Sequence, residues 1–332
     1  MNDQTLNAVP RRSMLGATLA IAIIATLFAV PVRYAAAQQT RAVARSLGPT
    51  IDVVEVDGQA AVVRSATGGD LQGQVVTFAT TDDLVGDKRL ASLITTPLTM
   101  EWDLSPPLGE WIAQTLDNAF FIPKTLTLSS VDSQGNFVAR KLFDDAVLAG
   151  IAFPALDRSK TEPGNIALRV LAPSVRYQSG GRLTIPSGAS KAWLSRDFQI
   201  EIGDLPTQRI SRVEPFTWTL QVAEQQVGEF RTQVSTSGRV NIDNLKLVIS
   251  AGDFNQWRDW MDSFLIRGDS GPDAEKSGFL RLVSGDLQQV LLELQLQGIG
   301  LVSMTLPKVD ADTGAATFTA EIYVEQIRLL GY

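Results

Sequence analysis

Apolar residues recur at every second position through most of this chain. Leu98/Met100/Trp102, Phe198/Ile200/Ile202, Phe216/Trp218/Leu220/Val222, Leu245/Leu247/Ile249, Leu292/Leu294/Leu296 and Phe318/Ala320/Ile322/Val324 each place their apolar side chains on one face of an extended strand. A helix with that spacing would scatter them around its circumference, so the pattern commits the chain mainly to antiparallel sheet with one buried face. Turn signals such as Asp132-Ser133-Gln134-Gly135 separate the runs.

Two stretches keep a helical period instead. Leu108, Trp111, Ile112 and Leu116 follow Pro106-Pro107, and Phe254, Trp257, Trp260, Met261, Phe264 and Leu265 lie between Asp253 and Gly268. Each predicts one helix laid over a sheet. At that spacing Trp111, Trp257 and Trp260 belong to an apolar stripe, which makes them core positions of the two helices rather than ligand platforms.

The chain also matches itself. Val54-Glu55-Val56-Asp57-Gly58 aligns with Ile200-Glu201-Ile202-Gly203-Asp204, Trp111-Ile112-Ala113-Gln114-Thr115-Leu116 with Trp260-Met261-Asp262-Ser263-Phe264-Leu265, and Phe153-Pro154-Ala155-Leu156-Asp157 with Leu306-Pro307-Lys308-Val309-Asp310. The separation grows slightly from each pair to the next, as short loop insertions would make it, and residues 267–275 are one candidate insertion. Both copies then close on a strand, ending Val175-Arg176-Tyr177 in one and Ile327-Arg328-Leu329 in the other. We therefore expect two tandem copies, over residues 48–177 and 193–332, joined by a Gly- and Ser-rich linker at 178–192 that contains Pro186. The expected fold is mainly β: two small antiparallel β-barrel or sandwich domains, closed or nearly closed, each with one flanking helix. Any strand left free at an edge would invite pairing with a neighbouring chain.

Ahead of this body, Arg11 and Arg12 precede an apolar run at residues 14–30, and Ala35-Ala36-Ala37 supplies the small residues read by a signal peptidase. The pattern predicts a signal peptide over residues 1–37, cleaved between Ala37 and Gln38 with Ala35 at the other recognition position. The alternative is an uncleaved anchor, the one membrane association the sequence offers. Arg11-Arg12-Ser13-Met14-Leu15 also resembles a twin-arginine signal, so the general or the folded-protein export route can apply. Either leads to the periplasm, the cell surface or the extracellular space.

Composition bears on chemistry. The 332 residues include neither cysteine nor histidine, which removes thiol nucleophiles, disulfides, Cys/His metal sites and every histidine-based general base. A formal net charge of −7 repels phosphate backbones and argues against nucleic-acid binding. Asp312-Thr313-Gly314 has the letters of an aspartic-protease turn, but the matching place in the first copy reads Asp157-Arg158-Ser159-Lys160-Thr161 and offers no second triplet. Asp310 and Asp312 begin like a calcium loop, yet the next acidic residue is Glu321, too few oxygens for that ion. Asp82-Asp83 and Asp144-Asp145 read as solvated turns, and Gly68-Gly69-Asp70-Leu71-Gln72-Gly73 as a turn without the lysine of a phosphate loop. No catalytic residue, cofactor or metal ligand is expected.

The second copy resembles a known pattern. A strand Phe198-Gln199-Ile200-Glu201-Ile202-Gly203, then Arg209-Ile210-Ser211-Arg212-Val213, Leu245-Lys246-Leu247-Val248-Ile249, the Trp257/Trp260 helix, Gly278-Phe279-Leu280-Arg281-Leu282 and a last strand Ala320-Glu321-Ile322-Tyr323-Val324-Glu325 resemble the tail tube proteins of contractile phage tails and related injection systems. The first copy carries the likeness more weakly. The resemblance implies a small β-barrel with one flanking helix that assembles into six-fold rings, stacked into a hollow tube, and hence a non-enzymatic structural role with self-association. Two copies per chain would let three chains, a trimer with pseudo-six-fold symmetry, fill such a ring. The export signal departs from that pattern, since tail tubes assemble in the cytoplasm. A periplasmic or cell-surface binding module without catalytic activity is the other expectation.

Overall fold

In the computed structural model, which describes residues 50–78, 86–118, 122–186, 192–227, 232–309 and 314–332, the alternating runs are strands. The first half contains β1 (Ile51–Val56), β2 (Gln59–Val63), β3 (Ala66–Gly68), β4 (Leu71–Phe78), β5 (Asp87–Thr95), β6 (Leu98–Trp102), α1 (Pro106–Asn118), β7 (Lys124–Val131), β8 (Asn136–Phe153), β9 (Leu156–Asp157), β10 (Ile166–Leu171) and β11 (Ser174–Arg182). The second half contains β12 (Phe198–Ile202), β13 (Ile210–Val213), β14 (Phe216–Val227), β15 (Thr232–Ile242), β16 (Leu245–Ser250), α2 (Phe254–Met261), β17 (Lys276–Val283), β18 (Val290–Met304), β19 (Lys308–Val309) and β20 (Ala316–Gly331).

The duplication is visible in the hydrogen bonding. One sheet follows the order β1-β7-β8-β10-β6-β3, and the other follows β12-β17-β18-β20-β16-β13, the same path through corresponding strands. Each order puts the strand before the helix (β6 or β16) several places away in the sheet from the strand after it (β7 or β17), so the helix must cross over the sheet. That is why the Pro106-Pro107 start and the Asp253 start each lead into an amphipathic segment. A 3₁₀ turn at Ala251–Asp253 and a π turn at Asp262–Ile266 flank α2, and Gly268, at φ +78°, ends the helical stretch.

The apolar faces of most strands supply one main core, beside a small second cluster of Val53, Val131 and Phe137. Met100, Leu168 and Ile151 meet in the first half, and Leu247, Ala320 and Ile322 in the second, all fully buried, with Leu108, Trp111 and Ile112 of α1 and Trp257 of α2 closing over them. Neither sheet path joins its ends; the first stops on β2 and β3.

Residues 47–332 form one compact unit because the halves share strands. β14 of the second half pairs with β8 of the first, and β9 of the first pairs with β13 of the second. Two expectations need adjustment. β11 runs to Arg182, so the start of the expected linker is strand. Asp144 and Asp145 lie inside β8 rather than at a turn: β8 pairs with β7 and β11 as far as Ala146 and with β10 from Val147 onward, and Asp145, at φ +51°, sits at the switch.

Candidate assembly surface

The corresponding hairpins of the two halves have different surroundings. β14–β15 belongs to the large sheet through its bonds to β8, whereas β4–β5 stands as a two-stranded sheet of its own. A ladder from Leu71↔Thr95 to Phe78↔Asp87, with a bulge at Gln74/Val75, holds β4 to β5. Gln74 accepts a hydrogen bond from the Ser92 hydroxyl, and the backbone N–H of Leu71 lies 3.4 Å from the Tyr177 hydroxyl. Around these few polar ties Leu71, Val75, Val76, Phe78 and Leu93 are all exposed. The Arg89 guanidinium, 5.6 Å from the Phe78 ring centre, is the cationic companion of this apolar face.

A second bare surface lies along β18 and β19. β17 bonds β18 only as far as Ile299, so from Gly300 to Met304 that strand is paired on its β20 side alone among the described residues. Val302, Leu306 and Val309 are exposed along this stretch and the short β19 beyond it. In β8 the same place is occupied: Phe216 to Thr219 of β14 bond to Phe153 to Gly150, and the Phe153 and Phe216 rings stack with centres 4.6 Å apart.

The three helix tryptophans are interior. The Trp111 indole N–H donates to the Ile122 carbonyl at 3.3 Å and that of Trp257 to the Pro206 carbonyl at 3.1 Å, so each pins its helix to a loop. Trp260 is also buried, stacked obliquely on Phe264 and with the Lys276 ammonium 5.6 Å from its ring centre. The recognition positions Ala35, Ala37 and Gln38 lie outside the described residues, as do Asp82, Asp83, Asp310 and Asp312. Asp157 caps its own turn, accepting from the Ser159 backbone N–H at 2.8 Å and the Ser159 hydroxyl at 2.6 Å. Gly68 and Gly69, both at positive φ, turn the chain from β3 into β4.

Titratable groups are engaged in structure. The carboxyl of Asp57 is held below its usual range by a hydrogen bond from Lys124, with partial burial opposing, and that of Asp204 by a hydrogen bond from Lys276. Burial, followed by the neighbouring Glu275 carboxylate that its hydroxyl contacts at 2.6 Å, pushes Tyr323 up to about 12. A groove of about 540 Å³ beside α2 is lined by Asp259, Trp260, Ser263, Phe264, Asp269 and Lys276 among others. Ser263 there donates to Asp269 at 2.9 Å and Lys276 is paired with Asp204. No group of three acidic side chains converges as a metal site among the described residues, and no helix among them is long and apolar enough to cross a membrane.

The exposed apolar surfaces escape sequence reasoning because a strand residue reads as core whether its cover comes from the same chain or from elsewhere. The apolar stretch Val75-Val76-Thr77-Phe78, which breaks the alternation, was the available signal.

No family model and no curated protein matches the chain. Among solved structures it is similar to a chain of the extended sheath–tube complex of an extracellular contractile injection system (PVC), with 17% identity over 41% of this chain and 94% of that one and a TM-score of 0.36. It is also similar to a chain of the anti-feeding prophage baseplate, with 18% identity, 40% and 91% coverage and a TM-score of 0.33. A third likeness is to the tube-terminating cap of the anti-feeding prophage, with 14% identity, 46% and 94% coverage and a TM-score of 0.35.

Proposed function

We propose that this chain is a non-enzymatic structural protein that builds a ring by associating with copies of itself. The observation that carries this reading is the β4–β5 hairpin, a two-stranded sheet that displays Leu71, Val75, Val76, Phe78 and Leu93 to solvent. An isolated two-stranded hairpin is marginal in water, and one that exposes apolar side chains on both faces, Leu71, Val75 and Leu93 on one and Val76 and Phe78 on the other, marks a surface that another molecule covers. With two copies per chain, three chains in a pseudo-six-fold ring are the arrangement we favour, in line with the tube-like role implied by the sequence resemblance. We further propose that the chain is exported and that the mature protein starts at Gln38, after the small-residue site Ala35-Ala36-Ala37.

Light scattering of the mature protein over a wide concentration range tests the association. A mass of three chains supports the ring; a single chain at every concentration removes it and favours the binding-module alternative. N-terminal sequencing of exported protein tests the start, and retention of Met1 overturns it.

A further inference from the structure

Resting on the self-association proposed above, a more specific inference concerns its geometry. We infer that the contact between chains repeats the joint already present between the two halves of one chain: the end of β18 in one molecule receives the start of the β4–β5 hairpin of the next.

The intrachain joint is the template. At its centre β14 adds antiparallel to the end of β8, with Phe216 opposite Phe153, Trp218 opposite Ile151 and Thr219 opposite Gly150, and beside it Leu156 of β9 lies opposite Val213 of β13. The matching registers carry each of these positions into the other copy. Leu98 of β6 lies opposite Gly68 of β3 and Val170 of β10, while Met100 lies opposite Ala66 and Leu168; Leu247 of β16 correspondingly lies opposite Val213 and Ala320. Met100 therefore corresponds to Leu247 and Leu168 to Ala320. Since Ile151 is the partner of Leu168 and Met304 the partner of Ala320, Ile151 corresponds to Met304 and Phe153 to Leu306. On the hairpin side, Thr95 and Ile242 precede β6 and β16 by the same step and pair with Leu71 and Trp218, so Leu71 corresponds to Trp218.

The exposures then fall into complementary sets. Phe153 is 5% exposed and its counterpart Leu306 is 74% exposed; Leu156 is 2% and its counterpart Val309 is 71%; Trp218 is 2% and its counterpart Leu71 is 45%. Each apolar position that is buried at the joint between the halves has an apolar, exposed counterpart in the other copy. The two bare surfaces are then the two sides of the same contact, and each can be covered by the other surface of an identical chain. The backbone agrees with the side chains, because among the described residues β18 is unpaired on one side from Gly300 onward and β4 bonds β5 alone. Strand addition at such an edge is a general mode of association. The contact is head-to-tail, so it repeats from chain to chain and closes where its rotation allows.

The inferred register puts Gln72 opposite Ser303, as Thr219 lies opposite Gly150. Both are exposed polar residues in a chain without cysteine, and directly opposed antiparallel positions fall within disulfide reach. Gln72→Cys and Ser303→Cys in one chain should give, on mild oxidation, covalent multimers on a non-reducing gel. Equimolar Gln72→Cys chains and Ser303→Cys chains should give dimers holding one of each. The displaced pair Gln72→Cys with Val138→Cys serves as the control. In parallel, Leu306→Lys should return the assembly to single chains with an unchanged melting temperature. If scattering shows multimers but the Gln72/Ser303 pair cross-links no better than the control, or Leu306→Lys assembles normally, this joint is wrong while self-association stands. A disulfide confined to one chain also counts against it. Scattering that shows only single chains removes both readings.

Discussion

The turn after the first strand of each copy carries the same kind of ion pair. Lys124 lies 2.9 Å from Asp57, and Lys276 pairs with Asp204, each lysine arriving from the strand that follows the helix. Both aspartates ionise more readily in the folded protein than at the ordinary value of 3.8, chiefly through the lysine hydrogen bond. Their contribution to stability is thus present above that value and lost as the pH falls through the lower folded one. Lys124→Met with Lys276→Met should flatten this acid limb in urea titrations at a series of pH values, and each substitution alone should cost under about 1 kcal/mol at neutral pH because the carboxylates face water. Tyr323 sets the opposite limb. Its hydroxyl keeps its proton to about 12, so the stability it supplies is intact below the ordinary value of 10.0 and disappears as the pH rises between the two. Tyr323→Phe should remove that alkaline dependence.

Among the elements, α2 shows how little of a helix needs to touch the sheet to matter. Trp257 is fully buried and its indole N–H reaches the Pro206 carbonyl, so Trp257→Ala should destabilise the protein by about 3–5 kcal/mol in chemical denaturation. The β4–β5 hairpin should behave in the opposite way: Val75→Lys with Phe78→Lys should change stability by no more than about 0.5 kcal/mol each and yet abolish association in light scattering. These two elements also mark what was legible in the sequence. The strands were readable where one face is apolar and the other polar, as in Leu245/Leu247/Ile249, and the helices where Trp257 and Trp260 recur at helical spacing. The break in β8 was not readable, because Asp144-Asp145 reads alike at a turn and at a bulge where a strand changes partner. The exposure of the β4–β5 hairpin was not readable either: Leu71 and Trp218 are both strand apolars, and the difference between them is a neighbour far away in sequence.

At the scale of the whole molecule the halves are knitted rather than strung together. Since β14 completes the edge of β8 and β9 that of β13, neither copy has its full sheet without the other, and thermal unfolding should be a single transition whose calorimetric and van't Hoff enthalpies agree. Two separate transitions in the scanning calorimeter would refute this. The same knitting bears on how the protein is made. A ribosome delivers the chain from its N-terminus at about 5–20 residues per second, so Phe153 emerges seconds before Phe216, the ring that stacks on it. For that interval the first copy is a finished strand ladder with a greasy, half-bonded rim and nothing of its own to close it. Two nascent chains side by side on one messenger could cover each other's rims in place of their own, giving tangled dimers that never mature.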